Sequence, residues 1–103
     1  MSMIDHLDLE GEQAWRVTTA MTQSQAAGLL VAGQKLLTSD SGQHPIRVDL
    51  AAVSEADSSG LAVLLDWLRT ARQQGREMRV EGIPTGLRSL AELYGIQELL
   101  NLV

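Results

Sequence analysis

The most informative polar stretch of the chain is Asp57-Ser58-Ser59-Gly60, a carboxylate, two hydroxyls and a glycine in succession. Such a set can cap a helix, bind an anion on free backbone N–H groups, or display a hydroxyl to a partner. Nucleophilic catalysis by Ser58 needs an adjacent base, and the sequence offers none. His6 and His44 stand alone, with no His or carboxylate at metal-ligand spacing. Neither the Gly-x-x-x-x-Gly-Lys-Ser/Thr phosphate loop nor the Gly-x-Gly-x-x-Gly fingerprint occurs. Glu10/Glu12 and Glu77/Glu81 read as solvated strand residues rather than paired acid and base. Gly82 to Gly86 reads as a turn, with Arg88 an exposed partner of Glu92. The expectation is a protein that is not an enzyme and carries no cofactor or metal.

The elements around this motif are legible from periodicity. Upstream, Ile46, Val48 and Leu50 alternate with Arg47 and Asp49, which predicts a strand. Downstream, Leu61, Leu64, Leu65 and Leu68 recur at helical spacing, predicting a helix over 58–74 that Gly75 closes in a left-handed cap. Ile4, Leu7 and Leu9 suggest a first strand, and residues 14–20 a second, with Trp15 and Val17 on one face. Thr22-x-x-Gln25 resembles a capping box before a helix that ends near Thr38 and buries Leu29, Leu30, Gly33, Leu36 and Leu37. Residues 39–45 form a polar connection. A fourth strand spans 77–81, and a third helix 85–94 places Leu87, Leu90, Ala91 and Tyr94 on one face. Ile96 to Val103 is left as a short terminal helix or edge segment. The order β-β-α-β-α-β-α predicts one compact α/β domain over 1–103. It has a mixed sheet of four to five strands, with crossover helices mainly on one face.

Composition narrows the function classes. At 103 residues the chain has room for a single core. That core must be aliphatic, because Phe is absent and Trp15, Trp67 and Tyr94 are the only aromatic residues. A net charge of −5 argues against nonspecific nucleic-acid binding, which needs clustered Lys and Arg. With no cysteine there is no disulfide framework, which fits a reducing compartment. The first ten residues carry Asp5, Asp8 and Glu10 and do not resemble a signal peptide. The longest apolar stretch, residues 26–33, is too short to span a bilayer. A soluble cytoplasmic protein is expected.

The helix after the motif has a second apolar aspect. At about 100° per residue, Val63 and Trp67 point well away from Leu61, Leu64, Leu65 and Leu68, toward the side shared by Ser59, Thr70 and Gln74. One reading packs Trp67 over the helix edge against a neighbouring helix. The other makes Val63 and Trp67, continuous with Ser59, a protein-docking strip, since Trp buries a large area at small entropic cost. Arg72 projects toward the core side, near enough to the helix end to snorkel past the sheet edge. At the helix start Ser58 could cap a free N–H. Asp57 is an equally good cap, and in that case Ser58 is free to face outward.

The run Val48-Asp49-Leu50, a short loop, and Asp57-Ser58-Ser59-Gly60-Leu61-Ala62-Val63-Leu64-Leu65 resembles the signature of STAS domains. These include anti-sigma-factor antagonists and the STAS subunit of the Mla phospholipid-transport system. Gly75, Val80-Glu81-Gly82 and Leu90-Ala91-Glu92-Leu93-Tyr94-Gly95-Ile96 continue the pattern. In the antagonists the serine after the aspartate is phosphorylated by a partner kinase, and motif alignment places Ser58 there. In the Mla-type subunit the equivalent hydroxyl residue contacts the partner ATPase. The Leu-Ala-Glu-Leu-Tyr-Gly-Ile segment and the start of the second helix favour the Mla-type likeness. So does Thr18-Thr19-Ala20-Met21-Thr22, standing where many antagonists carry a Gly-Glu-Leu/Ile-Asp run.

The resemblance implies a non-catalytic subunit that binds the cytoplasmic ATPase of an inner-membrane phospholipid-transport ABC complex, and reaches the membrane only through it. The implied contact residues are Ser58, Ser59, Val63, Trp67, Thr70 and Thr85, with Asp57 as helix cap. The alternative it implies is an anti-sigma-factor antagonist switched by phosphorylation of Ser58.

Overall fold

Alternating burial is what separates the two faces of the sheet. In the computed structural model, which describes residues 2–9, 11–39 and 44–100, Trp15, Val17, Ile46, Val48, Met78 and Val80 are buried. Between them Arg16, Arg47, Asp49, Arg79 and Glu81 face away from the core. This period-2 division defines strands β1 (Ile4–Leu9), β2 (Glu12–Val17), β3 (Ile46–Asp49) and β4 (Met78–Glu81). Helices α1 (Gln23–Ser39), α2 (Ser58–Gln73) and α3 (Thr85–Leu93) complete the predicted β-β-α-β-α-β-α order.

The sheet runs β1-β2-β3-β4, with β1 antiparallel to β2 and the remaining pairs parallel. Four strands are present among the described residues, the lower of the expected numbers. Because the strand order never reverses, right-handed crossovers deliver α1 and α2 to one face, and α3, which follows the last strand, packs there against α2. Among the described strands there is no reversal point of the kind at which doubly wound sheets open a ligand crevice. The parallel strands also place the starts of α1, α2 and α3 at the same edge of the sheet, each following the C-terminal end of a strand.

The outer face of the sheet is a charged ladder. Arg47 and Arg79 lie directly opposite on β3 and β4, a like-charge pairing that is unfavourable by itself. Glu12 reaches both, at 3.3 Å from Arg47 and 3.7 Å from Arg79, and Glu81 lies 3.9 Å from Arg47. Glu12 and Glu81 are therefore engaged with arginines, whereas Glu10 lies outside the described residues.

α2 is the middle helix of its layer, packing on α1 at one flank and α3 at the other. Its core partner across the layer is Trp15, whose ring meets that of Trp67 edge-on at 5.5 Å and 82°. As expected, Gly75 closes α2 with φ +71°. Three expectations need correction. Tyr94 is 63% exposed at the end of α3 rather than in the core, because the helix stops at Leu93 and the chain turns away through Gly95. Arg72 is exposed. The terminal segment forms turns over 97–100 that bury Leu100, not a helix or strand, and residues 101–103 lie outside the described residues, as do 40–43 of the polar connection. No helix of the described residues is long and apolar enough to cross a membrane.

Candidate functional site

The loop from β3 to α2 is stitched to the loop before α1 by backbone bonds. Met21 N–H donates to the Glu55 carbonyl at 2.8 Å, and Asp57 N–H donates to the Met21 carbonyl at 3.2 Å. Residues 21 and 56 thereby form an isolated parallel bridge. This pairing brings the first turns of α1 and α2 against one another, with Asp57 between them.

Asp57 caps both helices. Its Oδ1 accepts from Ser59 N–H at 2.8 Å in the first turn of α2. Its Oδ2 accepts from Gln23 N–H at 3.1 Å, the first residue of α1. One carboxylate thus satisfies orphan donors on two helices. The Ser59 N–H bond is the main reason its carboxyl is held below the ordinary value of 3.8. Partial desolvation opposes the shift, and Gln23 N–H, the Ser59 hydroxyl and Gly60 N–H reinforce it. The same turn explains the glycine: a Cβ on Gly60 would lie 2.8 Å from the Met21 carbonyl oxygen, which cannot move without breaking the loop pairing. On the α1 side the expected capping box is present in part. Gln25 Oε1 accepts from Thr22 N–H and from the Thr22 hydroxyl.

With capping assigned to Asp57, Ser58 is released. It is exposed at the first position of α2, and its hydroxyl makes no hydrogen bond among the described residues. Ser59 is half-buried beside it. Thr85 is exposed at the first position of α3, whose N-cap, Pro84, provides no side-chain bond. Among the described residues no three His, Cys, Asp or Glu gather as a metal site.

Val63 and Trp67 are not on this surface. Both are buried, Trp67 completely, so the outward docking strip expected of them does not exist. The packing reading holds instead: the Trp67 indole lies against α1 at Gly33, where a Cβ would come within 2.1 Å of its Nε1. Thr70 is half-buried in the same seam and accepts from Gln34 Nε2 at 2.9 Å, which also donates to Asp66. Periodicity misplaced these residues because it credits a helix with one buried face. A middle helix is buried toward the sheet and toward both neighbours.

The surface that α2 does offer was missed. Ser58, Ala62, Leu65, Arg69 and Arg72 follow i, i+4, i+7, i+11 and i+14 spacing along its outer side. All are exposed except Leu65, which is half-buried. The signal lay in the same periodicity, counted from Ser58 rather than from the leucines.

Known proteins resemble this chain in sequence and in fold. The family described as "Mlab, STAS domain" matches residues 6–102. The Escherichia coli (strain K12) intermembrane phospholipid transport system binding protein MlaB is 37% identical over 49 residues, 48% of this chain and 50% of that protein. The chain thus spans about half the length of that relative. An anti-sigma-B factor antagonist of Staphylococcus epidermidis is 28% identical over 60 residues, 58% of this chain and 56% of that one. Among solved structures, an anti-sigma-factor antagonist (STAS) domain protein from Planctomyces limnophilus superposes with a TM-score of 0.74. Its identity is 12%, with 96% of this chain and 87% of that chain covered, a likeness of fold. From the strand–loop–Asp-Ser-Ser-Gly-Leu unit to the one-faced helix layer, this chain belongs to the STAS domain family.

Proposed function

We propose that this chain is a non-catalytic regulatory subunit that docks on the cytoplasmic ATPase of an inner-membrane phospholipid-transport ABC complex. The observation that carries the reading is the division of labour at the motif. Asp57 is consumed in capping two helices, and the neighbouring Ser58 hydroxyl is left exposed and unbonded among the described residues, on a corner held by backbone pairing. A corner of that kind is suited to recognition, because its geometry is fixed before a partner arrives and little entropy is lost on binding. The likeness to MlaB supports a transporter as the setting. Ser58, Ser59 and Thr85, joined by Ala62 on α2, form the contact. ATP hydrolysis belongs to the partner. The subunit acts by binding preferentially to an assembly-competent conformation of that ATPase and shifting its population. It resides in the cytoplasm and meets the membrane through the assembled complex.

The likeness to an anti-sigma-B factor antagonist supports a second reading, in which Ser58 is phosphorylated and partner choice switches. A phosphoryl group there adds about −1.5 to −2 charges beside the ionised Asp57. Affinity purification from the native host with mass spectrometry separates the two. An ABC ATPase and permease recovered with unmodified Ser58 supports the transporter reading. A small histidine-kinase-like ATPase recovered with phosphorylated Ser58 overturns it in favour of the second.

A further inference from the structure

Below the Ser58 corner, the α2 stripe runs into a groove between the helix and the terminal turns, lined by Leu65, Leu68, Arg69, Arg72 and Leu99. Its volume is about 180 Å³. That is below the roughly 300–1,000 Å³ of small-molecule pockets, and it suits one large apolar side chain. Leu99 is 38% exposed at its wall.

The rim is cationic on a chain whose net charge is −5. Arg69 is partly neutralised by Asp66 at 3.2 Å. Arg72 is exposed and has no ion-pair partner among the described residues. Two arginines around an apolar notch, one of them without an ion-pair partner among the described residues, are complementary to an apolar side chain flanked by carboxylates. Ser58 and Arg72 are 14 positions apart on one side of α2, which is about 21 Å along a helix axis. One partner surface of standard size reaches both ends.

We infer that this groove receives an acidic segment of the partner ATPase, with one large aliphatic or aromatic side chain seated on Leu65, Leu68 and Leu99 and its carboxylates on Arg69 and Arg72. The inference rests on the proposed function, since it takes the ATPase as occupant. It extends the contact from the Ser58 corner to the far end of α2 and gives the partner segment a definite chemistry.

The test is the affinity of the full chain for the purified ATPase subunit of the host's phospholipid-transport complex, measured by titration calorimetry. Arg72→Glu and Leu99→Asp are each expected to weaken binding at least tenfold with the unfolding transition in place. Arg72→Lys should retain most of the affinity. Raised salt should weaken the wild type more than Arg72→Glu. Ala62→Arg, at the other end of the stripe, is expected to abolish binding. If Ala62→Arg abolishes binding while Arg72→Glu and Leu99→Asp bind as the wild type does, the groove is overturned and the proposed function stands. If the wild-type chain does not bind the ATPase, the proposed function fails and the groove's occupant with it.

Discussion

Two neighbouring residues divide the work of the motif. Asp57 holds two helix starts together, and Ser58 is left to the surface. Because the Asp57 carboxyl sits below its ordinary value, the folded state favours its ionised form. Its contribution to stability is complete above the unfolded-state pKa near 3.8 and disappears as pH falls through the lower folded value. Asp57→Asn keeps one acceptor oxygen in place of two and removes the charge. Chemical denaturation between pH 6 and pH 2 should therefore show a lower midpoint for the variant at neutral pH and a smaller loss on acidification than in the wild type. Ser58→Glu makes a complementary prediction. A carboxylate at the first position of a helix is compatible with the dipole, so stability should stay within about 0.5 kcal/mol of the wild type. Copurification with the ATPase should be lost, because the charge stands in the proposed contact.

α2 illustrates what a sequence conveys about a helix and what it omits. The bounds of the helix and its Gly75 terminator were legible and its cap was narrowed to Asp57 or Ser58, since each depends on residues within a turn of it. The destination of Val63 and Trp67 was not. It depends on α1, whose Gly33 provides the only kind of residue that lets the Trp67 indole approach so closely. Trp67→Ala should cost about 3–5 kcal/mol, read by urea denaturation, with ATPase affinity unchanged for the fraction that remains folded. Gly33→Ala should cost about 1–3 kcal/mol by overpacking, despite the higher helix propensity of alanine. If Trp67→Ala instead leaves stability unchanged and removes binding, the tryptophan is a contact residue and its packing role is wrong.

For the molecule as a whole, helices on one face leave two independent surfaces. The side proposed for docking carries the three helix starts and the α2 stripe. The opposite side carries the Glu12–Arg47–Glu81 and Glu12–Arg79 ladder, with Leu7 61% exposed beside it. Partly exposed ion pairs contribute little, so Glu12→Gln should cost no more than about 1 kcal/mol. Its affinity for the ATPase should match the wild type in the same calorimetric titration. A loss of affinity would place the partner on the sheet rather than on the helices.

The sequence by itself determined the order of elements, the inward residues of the second and third strands, the Gly75 terminator and the Asp57-Ser58-Ser59-Gly60 corner, because each is encoded in residues a few positions apart. It also carried the family likeness, which rests on the same short-range pattern. Only the tertiary structure decided that one aspartate caps two helices, that Trp67 is core, and that Arg72 borders an open groove. Each of these depends on residues far apart in the chain: Gln23 with Asp57, Gly33 with Trp67, and Arg72 with Leu99. A helical repeat records which residues share a side. Which sides are covered is settled by the neighbours that the fold supplies.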